Sequence, residues 1–455
     1  MNLNIHKMTP QMFAQLAEGG GGVAGARCLL NAQRSKHFLL LRRVVDLARS
    51  SGNVEADLAQ RAYDQLAAFQ DVDPGAVEAV VRHPAVGAWA RQALDSLVAA
   101  ERGNELSWVS TVVAAAAIRA HIPFSAELPP VEGRTMFPSL GRAVARSGSV
   151  RVIGSGVVEV DGVPLPDDLS TETANWQGLR RLSAKTRGQR IELVVDDLDP
   201  YRAPGVENLG DRLDATEVAR WQTVLDEAWD LLVREHAAVA EEVATMIRVV
   251  TPLRPPPGNH ISATSRHAFG AILLSTPPDA VALAVTMAHE VQHAKLSALL
   301  DLIPMTVQDD DRLFYAPWRE DPRPIYGLLQ GAYAFLGVAG FWLQHGRLSG
   351  EEAAFVEFAR WLAAVRLVVD TLSTCGGLTD AGTVFVSGMD RTLRRWETES
   401  LPGEALAAGR QANEEHREQW RQRNGEIPSS IGKRETQQQR SDRRRVEVEV
   451  EAPTG

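Results

Sequence analysis

The spacing of apolar residues divides the chain into two kinds of text. Over residues 1–146 the apolar positions recur at helical intervals, as in Leu29, Leu30, Leu39, Leu40, Leu41, Val44 and Val45 along Cys28–Ala48. Further helices are predicted at 54–70, 75–101 and 104–121. From Ser147 to 204 the period shortens. Val150–Ile153, Gly156–Val160 and Ile191–Val195 are β-branched runs bounded by Gly, Asp and Pro, and Asp161-Gly162 is a hairpin turn signal between them. Helical spacing returns over 205–423, in Asp214–Val250 with Trp221, Leu225, Trp229 and Leu232 on one side, then in Ile325–His345, Glu351–Leu372 and Thr379–Trp396. The predicted class is therefore mainly α with a small β-sheet insertion (α+β).

One unit inside the helical region has a different order. Ala268–Ser275 is a short apolar run that reads as a buried strand, Pro277-Pro278-Asp279 starts a helix with Asp279 as N-cap, and Pro304 should end it. That helix carries His289, Glu290 and His293 in the spacing H-E-x-x-H. Histidines four apart lie one turn above the other on the same face, so both imidazoles can reach one metal ion. Glu290 sits about 100° round the helix, where its carboxylate can point to a metal-bound water or to a substrate. The rival explanation is a solvated helix face with two unrelated histidines. The strand–turn–helix context favours the metal.

Composition narrows the function classes. The 455 residues, 44% hydrophobic and 23% charged, are enough for two or three domains or one large helical domain with additions. A net charge of -10 argues against nucleic acid as a partner, and neither a long uncharged apolar stretch nor a basic-then-apolar N-terminus speaks for a membrane. Cys28 and Cys375, far apart, fit a reducing compartment, so the chain reads as cytoplasmic. Gly19–Gly22 lacks the strand before it and the Lys-Ser/Thr after it that a phosphate loop needs. Asp196-Asp-Leu-Asp-Pro-Tyr-Arg202 lacks the glycine and terminal glutamate of a calcium loop and reads as a capped turn. Pro252–Gly258 reads as a rigid connector, and the polar tail over 424–455 as disordered.

Taken together, the stretch from His289 to Leu300, the preceding Ser262–Ser265 and Ala268–Ile272, and the following Tyr315–Pro324 and Leu329–Phe335 resemble the HEXXH-motif peptide-modification proteins of bacterial clusters that make ribosomal, post-translationally modified peptides. Leu16–Gly22 and Asp197–Arg202 are similar to stand-alone members, and the resemblance spans roughly residues 8 to 400. It implies an iron(II)/2-oxoglutarate-dependent dioxygenase that β-hydroxylates a residue of a precursor peptide, in some members alongside a radical S-adenosylmethionine partner enzyme. His289 and His293 would then be two of the metal ligands.

An iron site of this kind usually adds one carboxylate. The order of preference for the third ligand is Glu357, an acid on an apolar helix face, then His345, then Glu320. Arg319 and Arg323, with Arg366 as a further choice, are predicted to hold the distal carboxylate of 2-oxoglutarate, since guanidinium groups bind carboxylates in a bidentate manner. Trp318 and Tyr315 would wall the pocket, whereas turn capping is the simpler role for Ser262 and Ser265. Two alternatives stay open: a zinc peptidase with Glu290 as general base, and a peptide-binding scaffold without catalysis.

Overall fold

The computed structural model describes residues 6–99, 106–153, 156–255, 260–308, 310–425, 433–434 and 448–451. The chain is mainly α-helical, with its strands in small sheets. The N-terminal helices are Pro10–Ala17, Gly22–Ser50, Ala56–Val72, Pro74–Val81, Pro84–Val98 and Val109–Ala120. The helix expected over 75–101 is thus two helices. Pro84 disfavours helical geometry at the residue before it, and His83 is extended with φ -61° and ψ 129°. Strands begin at Phe124, ahead of residue 147. They pack with the helices around one core that runs from Leu41 through Trp89 and Val112 to Val150 and Trp176.

A six-stranded sheet carries the second core. Its strands lie in the order Val448–Glu451, Ser262–Ser265, Ala271–Leu274, Val249–Pro252, Gln189–Val195, Arg180–Thr186. Ala271–Leu274 and Gln189–Val195 both run parallel to the central strand Val249–Pro252, and the flanking strands are antiparallel. The Asp161-Gly162 turn lies where the sequence puts it, with φ 51° and 77° joining Val160 to Val163. The stretch Asp214–Val250 breaks at His236 into helices Ala215–Glu235 and Ala237–Met246, then enters the central strand. Of the tail expected to be disordered over 424–455, Asn424 ends helix Gly403–Asn424, and two described segments are strands: Lys433–Arg434 on Arg312–Phe314, and Val448–Glu451 on Ser262–Ser265. The rest of 426–455 lies outside the described residues, as do 256–258 of the proline connector.

Helix Ala280–Leu300 begins where Asp279 caps it, its carboxylate accepting from the N–H of Ala282 at 2.9 Å. Every residue from Leu283 to Leu299 is buried. Helices Ala215–Glu235, Ala237–Met246, Gly22–Ser50 and Ile325–Ser349 surround it, and strand Ser262–Ser265 lies alongside. Among the described residues, Ile325–Ser349 is the one helix long and apolar enough to cross a membrane. It lies in the core, buried without interruption from Gly327 to Leu336. Helices Glu352–Thr374, Asp380–Trp396 and Gly403–Asn424 close that side.

Candidate metal centre

A helix buried on all sides must find a partner for each polar residue it carries, because an unpaired buried polar group costs free energy. Helix Ala280–Leu300 shows how this is done, and the histidines come first. The Nε2 atoms of His289 and His293 approach to 3.1 Å, with the rings edge to face. Two metal–nitrogen bonds of about 2.1 Å would span that distance at an angle near 95°. The pair therefore fits a cis pair of ligands on one ion.

The second nitrogen of His293 is also accounted for. Its Nδ1 lies 3.2 Å from the Oε1 of Gln330, whose amide nitrogen reaches Ser297 Oγ at 3.2 Å and the Tyr326 hydroxyl at 3.1 Å. With the carbonyl of Gln330 toward it, Nδ1 is the donor and the Nε2 lone pair is left for a metal. Phe335 packs edge-on against His289 at 4.9 Å and stacks between Trp318 and Trp361. Gly331 makes room for this wall: a Cβ there would fall 2.4 Å from Trp318 Nε1.

Glu290 points elsewhere. Its carboxylate is fully buried, Oε2 accepts from the hydroxyl of Thr264 on the neighbouring strand, and Oε1 has no partner among the described residues. Further round the helix, Gln292 and Lys295 both donate to the carbonyl of Gly19 at 3.0 Å, and Lys295 pairs with Glu242 at 2.8 Å. The second oxygen of Glu242 accepts the N–H of Gly22 at 2.8 Å. The glycine run is thus a brace on the back of the helix that bears the histidines.

A cavity of about 250 Å³ opens on the His289 side, lined by Ser262, Pro277, Val285, Phe335, Trp361 and others, mostly apolar. Among the described residues, no arginine or lysine lines it. Arg319 and Arg323 both reach Asp321, at 2.9 and 3.4 Å, and Arg366 is held by Asp390 and Glu397. Arg266, which the sequence did not single out, lies over the Tyr326 ring at 5.6 Å and pairs with Asp301 at 3.2 Å. Through Tyr326 and Gln330 it is connected to His293.

The three proposed third ligands are not gathered with the histidines. Among the described residues, no further His, Cys, Asp or Glu donor forms a compact group of three with His289 and His293. Burial pushes the Glu357 carboxyl up, as an acid on an apolar face should experience, yet its charge is met by the indole N–H of Trp361 at 2.9 Å and by Arg360 at 3.9 Å. His345 bonds Glu235 at 2.7 Å in a separate group with His236, and Glu320 pairs with Arg423 on the surface. Tyr315 packs on Trp420 and bonds His416 at 2.9 Å, and burial pushes its hydroxyl up to about 12. Ser265 accepts from the N–H of His267 at 3.4 Å, whereas Ser262 lines the cavity.

Thr264, Gln330 and Lys295 had a detectable signal only in part. Gln330 is the one amide in the apolar run Ile325–Val338, and Lys295 follows the motif by two residues. Nothing local marks Thr264. No known protein-family model matches the chain, and no curated protein is similar to it in sequence.

Proposed function

We propose that this chain is an iron(II)/2-oxoglutarate-dependent dioxygenase that hydroxylates a β-carbon in a ribosomally made precursor peptide, as the family it resembles in sequence does. The observation that carries the metal is the 3.1 Å approach of the His289 and His293 Nε2 atoms, with the far nitrogen of His293 fixed by Gln330. A peptide substrate is supported by strand Ser262–Ser265, which already takes an extended backbone in antiparallel register, Ser262 opposite Glu451 and Ser265 opposite Val448. Strand addition of this kind is a general way to hold a peptide beside a site. Iron with 2-oxoglutarate supplies the oxidising power drawn from dioxygen, while the chain supplies ligands, orientation and a dry pocket. The reducing cytoplasm suits two free cysteines, Cys28 and Cys375.

One observation favours the zinc peptidase: the unpartnered, buried Oε1 of Glu290 is what a general base for a metal-bound water needs. Anaerobic addition of iron(II) and 2-oxoglutarate separates the two. The oxygenase gives a visible metal-to-ligand charge-transfer band in the wild type and none in His289→Ala. No band, tightly held zinc and a peptide cleavage abolished by Glu290→Gln would replace the oxygenase with the peptidase.

A further inference from the structure

The break between helices Pro74–Val81 and Pro84–Val98 leaves His83 facing the end of strand Gln189–Val195, where Asp196 and Asp199 begin the turn. All three side chains are buried, at 5%, 1% and 0% exposure. Each carboxylate uses one oxygen to hold its own turn. Asp196 Oδ1 accepts the N–H groups of Leu198 and Asp199 at 3.2 and 2.9 Å, and Asp199 Oδ1 accepts that of Tyr201 at 2.9 Å. The other oxygens, Asp196 Oδ2 and Asp199 Oδ2, have no hydrogen-bond partner among the described residues, and neither has either ring nitrogen of His83. One donor atom from each residue lies within 4.8 Å of the others.

We infer that His83, Asp196 and Asp199 form a second metal site, for a divalent transition ion such as zinc, that ties the N-terminal helices to the sheet beside the H-E-x-x-H helix. His83 Nε2 and Asp196 Oδ2 are 3.6 Å apart, too far for a hydrogen bond. Two bonds of about 2.1 Å to one ion would span that distance at an angle of roughly 120°. An imidazole with carboxylates suits transition ions, and the divalent charge would offset two buried carboxylates. Turn hydrogen bonds to the remaining oxygens are the outer support that orients metal-binding carboxylates. Of the neighbouring cations, Arg119 donates to Ser139 Oγ and its carbonyl at 3.1 and 2.9 Å, and Arg202 to the carbonyls of Asp199 and Gly210 at 2.8 and 3.4 Å; neither donates to Asp196 Oδ2 or Asp199 Oδ2. All three side chains are buried, so the ion would be held away from bulk solvent.

The test uses the full chain carrying His289→Ala and His293→Ala, so that failure of the H-E-x-x-H reading cannot imitate failure here. After zinc addition and dialysis, elemental analysis of this double variant should give one zinc per chain. X-ray absorption should show a nitrogen/oxygen shell with one imidazole, and a strong chelator should lower the melting temperature until zinc is restored. Adding Asp199→Asn, with folding checked by circular dichroism, should remove the zinc. A double variant that takes up no zinc shows that the cluster holds no metal, and zinc that Asp199→Asn leaves in place sits elsewhere. Either result overturns the site.

Discussion

Replacing Lys295 by methionine tests the brace behind the proposed metal helix. The lysine is 1% exposed, its ammonium lies 2.8 Å from Glu242 Oε2 and 3.0 Å from the Gly19 carbonyl, and burial pulls its pKa down against the upward pull of Glu242. Methionine fills nearly the same space but leaves the Glu242 carboxylate, 4% exposed, with the Gly22 N–H as its remaining hydrogen bond. Removing one partner of a buried pair costs about 3–5 kcal/mol because a charge is left uncompensated. A typical domain has only about 5–15 kcal/mol in total. Adding Glu242→Gln removes that charge while keeping an acceptor for Gly22, and should bring the double variant back to within about 1 kcal/mol of the wild type. Guanidinium unfolding followed by tryptophan fluorescence measures both, and hydrogen exchange should show Gly19–Gly22 losing protection in Lys295→Met. A single variant that loses less than about 1 kcal/mol, or a double variant no more stable than the single, would refute this account of the brace.

Acid should weaken the fold through His37, whose Nδ1 donates to the Val81 carbonyl at 2.9 Å and whose pKa burial pushes down to about 4. The folded value lies below the unfolded one near 6.5, so this stability is complete above about pH 6.5 and declines toward pH 4, by up to roughly 3 kcal/mol. Denaturation at pH 7 and pH 5 should show a smaller difference in His37→Asn than in the wild type, with His236, also near 4, supplying part of what remains. Gln330→Leu removes the acceptor on His293 and should weaken metal binding about 10- to 100-fold in competition with a coloured chelator, whereas Gln330→Glu should retain it. A chain ending at residue 447 frees the edge of Ser262–Ser265 and should bind added extended peptides more tightly by fluorescence anisotropy; equal affinity would show that the edge is not the peptide's seat.

What the sequence carried plainly was whatever is encoded within a few residues: the helical spacing, the Asp279 cap, the Asp161-Gly162 turn and the four-residue interval between the histidines. Pro84 was equally local, yet the helical pattern on both sides of it masked the break that turns His83 toward Asp196. Partners distant in sequence left no such trace. Lys295 meets Glu242 across 53 residues and Gly19 across 276, and Glu290 meets Thr264 on a strand whose serines read as turn residues. Glu357 shows the limit of inference from burial: the cost of an acid on an apolar face is real, but an indole and a guanidinium on its own helix meet it. The six-stranded sheet was legible only in fragments, since its order depends on which strands cross the helices.

Helix Ala280–Leu300 combines these points. A helix buried all round normally carries apolar residues all round, and this one buries His289, Glu290, Gln292, His293 and Lys295 within two turns. Each direction has its own answer: Gln330 for His293, Thr264 for Glu290, Gly19 for Gln292, Glu242 for Lys295. Gln292 and Lys295 serve the brace. Two side-chain acceptors on this helix, Gln292 Oε1 and Glu290 Oε1, have no hydrogen-bond partner among the described residues, and the two imidazole Nε2 atoms are brought together at 3.1 Å. A buried acceptor left unmet costs about 1–3 kcal/mol, a strain that persists where it serves function. Glu290→Gln, which removes the charge and keeps an acceptor for Thr264, should therefore leave the fold at least as stable as the wild type while it alters the chemistry.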